Sequence, residues 1–152
     1  ARCGSDPYLP DIAARLGGLH IAVCTPAINV RKKILDYTEE EFDRVMAVNM
    51  RGNFNVLQSA GRIMTAQKSG SIVLYSSIRS QTVEPGQSAY AATKAFDRIL
   101  GESLWGELRA ANIDVAVLEP GSTRTEFQAV AGELESQFDT IRRAALAQFN
   151  GA

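Results

Sequence analysis

Three short apolar runs punctuate the chain: Leu19 to Cys24 (LHIAVC), Ser71 to Ser76 (SIVLYS) and Ile113 to Leu118 (IDVAVL). Each is rich in β-branched residues or ends in small, polar or Pro/Gly residues, the pattern of a strand. Between them lie two long stretches of helical periodicity. Strand and helix alternating at this spacing predict βαβ units around a parallel sheet, so the fold class is α/β.

The first long helix is predicted to begin at Thr38, because Thr38-Glu39-Glu40-Glu41 reads as a capping box. The Thr hydroxyl satisfies an orphan amide and Glu41 reaches back to the cap. Three glutamates also suit the positive end of the helix dipole. Phe42, Val45, Met46, Asn49, Asn53, Val56, Leu57, Ala60, Ile63 and Met64 then recur on one face. Two asparagines interrupt that face. A buried amide costs stability unless hydrogen-bonded, so Asn49, close to Gly52, invites a functional role; otherwise it faces a solvated gap or bonds a helix carbonyl. The second helix is predicted from about Ser88 to Ala111, with Ala92, Ala95, Phe96, Ile99, Leu100, Ser103, Leu104, Glu107 and Leu108 inward and Asn112 as its stop. Asp11 to Leu16 reads as the end of a helix closed by Gly17-Gly18, and residues 126–148 carry helix formers in a looser pattern.

The length of 152 residues fits a single domain, 1–152, with room for one sizeable core. Sixteen basic residues against seventeen acidic leave a formal charge of −1, which gives no general electrostatic reason to expect nucleic acid or anionic lipid as a partner. Two cysteines, Cys3 and Cys24, and one histidine, His20, assemble neither a disulfide framework nor a Cys/His zinc site, so no metal is expected. No run of about 18 apolar residues occurs and the first residues lack the apolar core of a secretory signal. A cytoplasmic setting without a membrane partner is the expectation. The chain starts at Ala1, which suggests a processed, truncated or incompletely represented sequence.

Candidate chemistry centres on Tyr90-Ala91-Ala92-Thr93-Lys94, which sets a phenol and an ammonium one helical turn apart on one face. A nearby ammonium favours the phenolate, making Tyr90 a candidate proton donor or acceptor. Alone, the spacing is weak evidence, and a surface lysine lying over a half-buried ring is the plainer reading. Thirteen residues earlier, however, the second strand ends in Ser76-Ser77, at the carboxyl edge where open α/β sheets place ligands. A turn or capping serine is the plainer reading of Ser77 by itself.

Asn49, Ser77, Tyr90 and Lys94, followed by Pro120-Gly121, Thr123 and Thr125, together resemble the short-chain dehydrogenase/reductase family from about Asp11 to Phe127. The resemblance implies a Rossmann-like doubly wound parallel sheet, here partial, and an NAD- or NADP-dependent oxidoreductase interconverting a small-molecule carbonyl and alcohol. By that resemblance Ser77 bonds the substrate oxygen and Tyr90 passes the proton. Lys94 binds the nicotinamide ribose and lowers the tyrosine pKa, and Asn49 holds a relay water from a distorted point in its helix. Tyr90, Lys94, Pro120, Gly121, Thr123 and Thr125 would contact the cofactor, with a substrate lid from Thr125 onward. The resemblance also implies a homo-oligomer, a dimer or tetramer, through the two long helices, with Trp105 near the seam.

Two departures temper this. Cys24-Thr25-Pro26-Ala27 stands where the family carries Asn-Asn-Ala-Gly, and no TGxxxGxG phosphate loop occurs in the chain. A non-catalytic fragment or remnant that folds or dimerises without a dinucleotide is therefore the alternative. The form of the cofactor is not encoded in the segments present. Arg79 and Gln81 are candidates for substrate contact, or are solvated loop residues.

Overall fold

A computed structural model of the chain describes residues 8–121, all within one compact unit, Ala1–Gly121. In chain order they form α1 (Leu9–Leu16), β1 (Ile21–Cys24), α2 (Glu39–Met46), α3 (Asn53–Gln67), β2 (Gly70–Tyr75), α4 (Ser88–Leu108) and β3 (Ile113–Leu118). The three strands make one parallel sheet in the order β1-β2-β3. Cys24 lies opposite Leu74, and Tyr75 opposite Leu118, so all three strands end at the same edge. The expected α/β class and the partial, Rossmann-like parallel sheet are therefore present.

Local signals explain most boundaries. Pro10 opens α1, and Gly17 closes it at φ +79°, a left-handed turn that glycine adopts without strain. Leu19 and His20 were predicted as strand, yet β1 begins at Ile21. The Gln67 side-chain amide bonds both the N–H and the carbonyl of Leu19, at 2.8 and 2.9 Å, and competes with the ladder there. At Thr38 the capping box forms in full: the hydroxyl accepts from the Glu41 amide at 3.2 Å, and the Glu41 carboxylate accepts from the Thr38 amide at 3.0 Å. Beyond α2, the single helix predicted from the periodicity is interrupted by a π-helical turn, Ala47–Gly52, before it resumes as α3. Asn112, in the left-handed region at φ 60°, stops the short 3₁₀ turn that ends α4, as its side chain suggested.

One face of the sheet carries the core. Cys24, Ile72, Leu74 and Ile113 pack with Leu57, Ala60 and Met64 of α3, while Leu100, Leu104 and Leu108 of α4 close over them. Each fully buried Leu, Ile or Met contributes about 1.5–3 kcal/mol from desolvation. At Gly101 α4 passes so close to the sheet that an added Cβ would sit 2.3 Å from the Val117 side chain. On the opposite face Ile21, Val23, Tyr75 and Leu118 are exposed among the described residues, as expected of three parallel strands covered on one side only.

The predicted inward face of α4 is displaced. Ala89, Tyr90, Thr93, Lys94, Asp97 and Gly101 are buried, while Ala92, Ile99, Ser103 and Glu107 are exposed. The polar residues of this helix point into the fold and several apolar ones point out. Phe42, expected inside, is also exposed.

Candidate active site

The end of β2 and the start of α4 meet at the carboxyl edge of the sheet. The Ser76 hydroxyl donates to the Lys94 carbonyl at 2.7 Å and the Ser76 amide to the Leu118 carbonyl at 2.8 Å, which locks α4 and β3 to β2. Ser77 follows in extended conformation, nearly buried. Its hydroxyl accepts from the Arg79 amide at 3.2 Å and caps the short 3₁₀ turn Ile78–Ser80. The capping role read from sequence is thus real, and a hydroxyl held by a backbone amide keeps its own proton free to donate. The Pro120 carbonyl accepts from the Ile78 amide at 3.1 Å, bringing Pro120 and the adjoining Gly121 beside the Ser77 turn.

Lys94 is turned into the fold and is 2% exposed. Its ammonium donates to the Tyr75 carbonyl at 2.8 Å and to Asp97 Oδ2 at 2.9 Å, and lies 5.9 Å from the centre of the Tyr90 ring. Tyr90 is buried as well. The structure therefore brings Tyr90 and Lys94 together at the sheet edge beside Ser76 and Ser77.

Asn49 occupies the π-helical turn, fully buried. Its amide oxygen accepts from the Ile28 N–H at 2.8 Å, and its nitrogen donates to the Ile28 carbonyl at 2.9 Å and to Thr93 Oγ1 at 3.0 Å. Thr93 in turn donates to the Tyr90 carbonyl at 2.8 Å. Both amide protons are consumed in tying the segment after β1 to α4 between Tyr90 and Lys94. A π turn within an α-helix is a frequent mark of a functional position.

Sequence periodicity had counted Asn53 as an apolar-face interruption and had not singled out Asp97. Both belong to the same buried cluster: Asn53 Nδ2 donates to Asp97 Oδ1 at 3.0 Å, and the Cys24 thiol donates to Asn53 Oδ1 at 3.4 Å. Burial, reinforced by the Asp97 carboxylate, pushes the Cys24 thiol up to about 11, so it is a donor and not a nucleophile at neutral pH. Burial also pushes the Asp97 carboxyl above its ordinary range, and Lys94 and Asn53 offset only part of that. The signal for Asp97 was its position three residues after Lys94, which sets both on one helix face.

Around the site, the segment before α4 is fastened to the segment after β1. Glu84 pairs with both Arg31 and Arg79, the Gln87 amide bonds Glu84 and Asn29, and the Gly86 carbonyl accepts from the Lys32 amide. Gln81 bonds Glu119. Arg79 and Gln81, candidates for substrate contact, thus have partners within the protein. Thr123 and Thr125, and the helix expected over 126–148, lie outside the described residues.

A profile of the short chain dehydrogenase family matches residues 5–135. The chain belongs to that family. A short-chain dehydrogenase/reductase of Armillaria gallica is 35% identical over 121 residues, covering 79% of this chain and 46% of the relative. A 3-oxoacyl-(acyl-carrier-protein) reductase, FabG, of Staphylococcus aureus is 32% identical over 133 residues, 87% of this chain and 54% of its own. Among solved structures, a gluconate 5-dehydrogenase from Burkholderia cenocepacia in complex with NADP and tartrate aligns with a TM-score of 0.79 at 28% identity, over 85% of this chain and 50% of that one. This short-chain dehydrogenase chain spans about half the length of the curated relatives it matches. Its departure at Cys24 to Ala27 has a visible consequence: Cys24 ends β1 buried against Asn53, and the segment beyond is held at Ile28 by the Asn49 amide.

Proposed function

We propose that the chain is the catalytic part of an NAD(P)-dependent oxidoreductase that interconverts a small-molecule carbonyl and alcohol. The observation that carries this reading is the buried Tyr90 and Lys94 one helical turn apart at the carboxyl edge of a parallel sheet, beside Ser77. Two of the three ammonium protons of Lys94 are engaged, which leaves one donor for a hydroxyl ligand such as a ribose. The donor set thus suits the nicotinamide-ribose end of a dinucleotide, with Pro120 and Gly121 adjoining and Thr123 and Thr125 further along the same segment. Such a cofactor, when bound, supplies or accepts the hydride. Tyr90 gives a proton to the carbonyl oxygen in reduction and takes it from the alcohol in oxidation. The Ser77 hydroxyl orients that oxygen, and the Lys94 charge favours the phenolate. Asn49, its amide protons spent on Ile28 and Thr93, would serve a water relay through the backbone of its π turn.

The alternative is a non-catalytic fragment or remnant of the family that folds or dimerises without holding a dinucleotide, since no TGxxxGxG pattern lies within these 152 residues. Calorimetric titration of the purified chain with NADH and with NADPH decides between them. Saturable binding of either is expected and names the preferred form; a folded chain that binds neither leaves the remnant reading.

A homo-oligomer through the two long helices belongs to the same proposal, as does a cytoplasmic setting. Phe42, Phe54, Ile99 and Trp105 are exposed on these helices. An open groove of about 600 Å³, lined by Met46, Met50, Phe54 and Phe96 among others, runs between them. Asp43 and Arg51 stand at the same groove, and an apolar groove rimmed by charged residues is typical of interfaces. Light scattering after size exclusion is expected to give at least a dimer at micromolar concentration, and a monomer would remove the proposal. No helix among the described residues is long and apolar enough to cross a membrane.

A further inference from the structure

The proposed chemistry uses Tyr90, Lys94, Ser77 and Asn49, yet leaves unexplained a fully buried carboxylate. Asp97 is 0% exposed, and burial alone disfavours its charged form. A carboxylate kept in such a place needs partners, and the fold supplies two from different elements. Lys94 Nζ lies 2.9 Å from Oδ2, and the Asn53 amide of α3 donates to Oδ1 at 3.0 Å. Asn53 is itself oriented by the Cys24 thiol of β1, which needs the amide oxygen as its acceptor. That bond fixes which end of the Asn53 amide faces Asp97, so the cluster is built to receive a carboxylate and not a neutral amide. An Asn at position 97 would set an N–H₂ against either the Asn53 amide protons or the Lys94 ammonium.

Buried ion pairs of this type are weak devices for stability, since apolar replacements often do as well. They are good devices for fixing a charge in one place. We propose that Asp97 is a positioning residue for Lys94: braced by Asn53, it holds the ammonium against the Tyr75 carbonyl of β2, charged and one turn from Tyr90, with its third proton available to a ligand. Asp97 touches neither substrate nor cofactor in this scheme. Its negative charge also tempers the field of Lys94 at Tyr90, so it sets the pH range over which the phenol exchanges its proton. Of the groups facing the pair, Cys24 stays a thiol, and Asn53 and the Tyr75 carbonyl carry no charge. The charges of Glu119 and Arg98 face each other, and Glu119 also accepts from Ser80 and Gln81.

The catalytic consequence rests on the oxidoreductase reading, so the test has two readouts. In the full chain, Asp97→Asn is expected to keep the near-ultraviolet circular dichroism of the folded protein. Its kcat for alcohol oxidation should fall about 10- to 100-fold through loss of Lys94 placement. The rising limb of its pH profile should move down by about one unit, because the ammonium is no longer offset. A kcat and profile that superimpose on the unaltered protein overturn the proposal, since a purely structural residue would move neither. Should the unaltered chain bind no dinucleotide and turn nothing over, the oxidoreductase reading fails, and Asp97 is then judged by amine chemistry. Reductive methylation followed by peptide mass mapping is expected to modify Lys94 at least tenfold faster in Asp97→Asn, with exposed Lys68 as the internal reference. Equal labelling overturns the proposal. If Asp97→Asn does not fold, Asn53→Ala, which removes the brace and keeps both charges, is measured in its place, with smaller changes of the same sign expected and no change overturning it.

Discussion

Replacing Tyr90 with Phe is expected to lower turnover by about 10²- to 10⁴-fold, the range associated with removing a positioned general acid or base. The ring is buried and its backbone carbonyl accepts from Thr93, and Phe keeps both the ring volume and that bond, so the fold of α4 should survive. Lys94 is held by Tyr75 and Asp97, neither of which the substitution touches. Dinucleotide affinity should therefore change little while the proton-transfer step is lost, so that kcat falls and KM stays near its original value. In the unaltered protein the two directions should depend on pH with opposite sign. Reduction needs the phenol and weakens as pH rises; oxidation needs the phenolate and strengthens. Steady-state kinetics in both directions checks this. A Tyr90→Phe protein that retains turnover, or an unaltered protein whose two profiles slope the same way, removes the acid/base role.

What the sequence made legible was decided by short-range physics or by fixed spacing. The Thr38–Glu41 cap closes within one turn, and the left-handed turns at Gly17 and Asn112 follow from residue type. The three β-rich runs became the three strands because parallel strands declare themselves through composition alone. Tyr90, Lys94 and Ser77 stood out through spacing that the helix and the strand end convert directly into proximity. The inward face of α4 was misread for a different reason. Periodicity assigns faces by residue type, and here Thr93, Lys94 and Asp97 are inside while Ile99 and Trp105 are outside. A polar core beside the site and an apolar exterior invert the rule together. The π turn at Asn49 was equally invisible to a 3.6-residue pattern, which its extra residue shifts out of phase between α2 and α3. The bond from Asn53 to Asp97 joins residues 44 positions apart, and no local signal reports a contact of that kind.

That polar core also sets the largest stability effect expected. Lys94→Met fills similar space but removes the cation beside a carboxylate that is fully buried, leaving Asp97 with the Asn53 amide alone. Breaking one side of a buried pair costs about 3–5 kcal/mol, because the remaining charge is neither solvated nor matched. The cost should depend on pH in a defined sense. Burial already raises the Asp97 carboxyl above its unfolded value, and the loss of Lys94 raises it further. The folded variant then binds a proton more readily than the unfolded chain, so its deficit is full above the raised pKa and is relieved as pH falls through it. Urea unfolding at acid and neutral pH should show the gap between Lys94→Met and the unaltered protein narrowing on acidification; a gap that is absent, or that widens, contradicts the pairing. Adding Asp97→Leu to Lys94→Met removes the stranded charge and should recover most of the lost stability at neutral pH, since apolar replacement of a whole buried pair is often neutral. Activity should not return with it. A stable but inactive double variant would separate the two uses of this cluster, showing that the fold can do without the pair while Tyr90 cannot do without the ammonium.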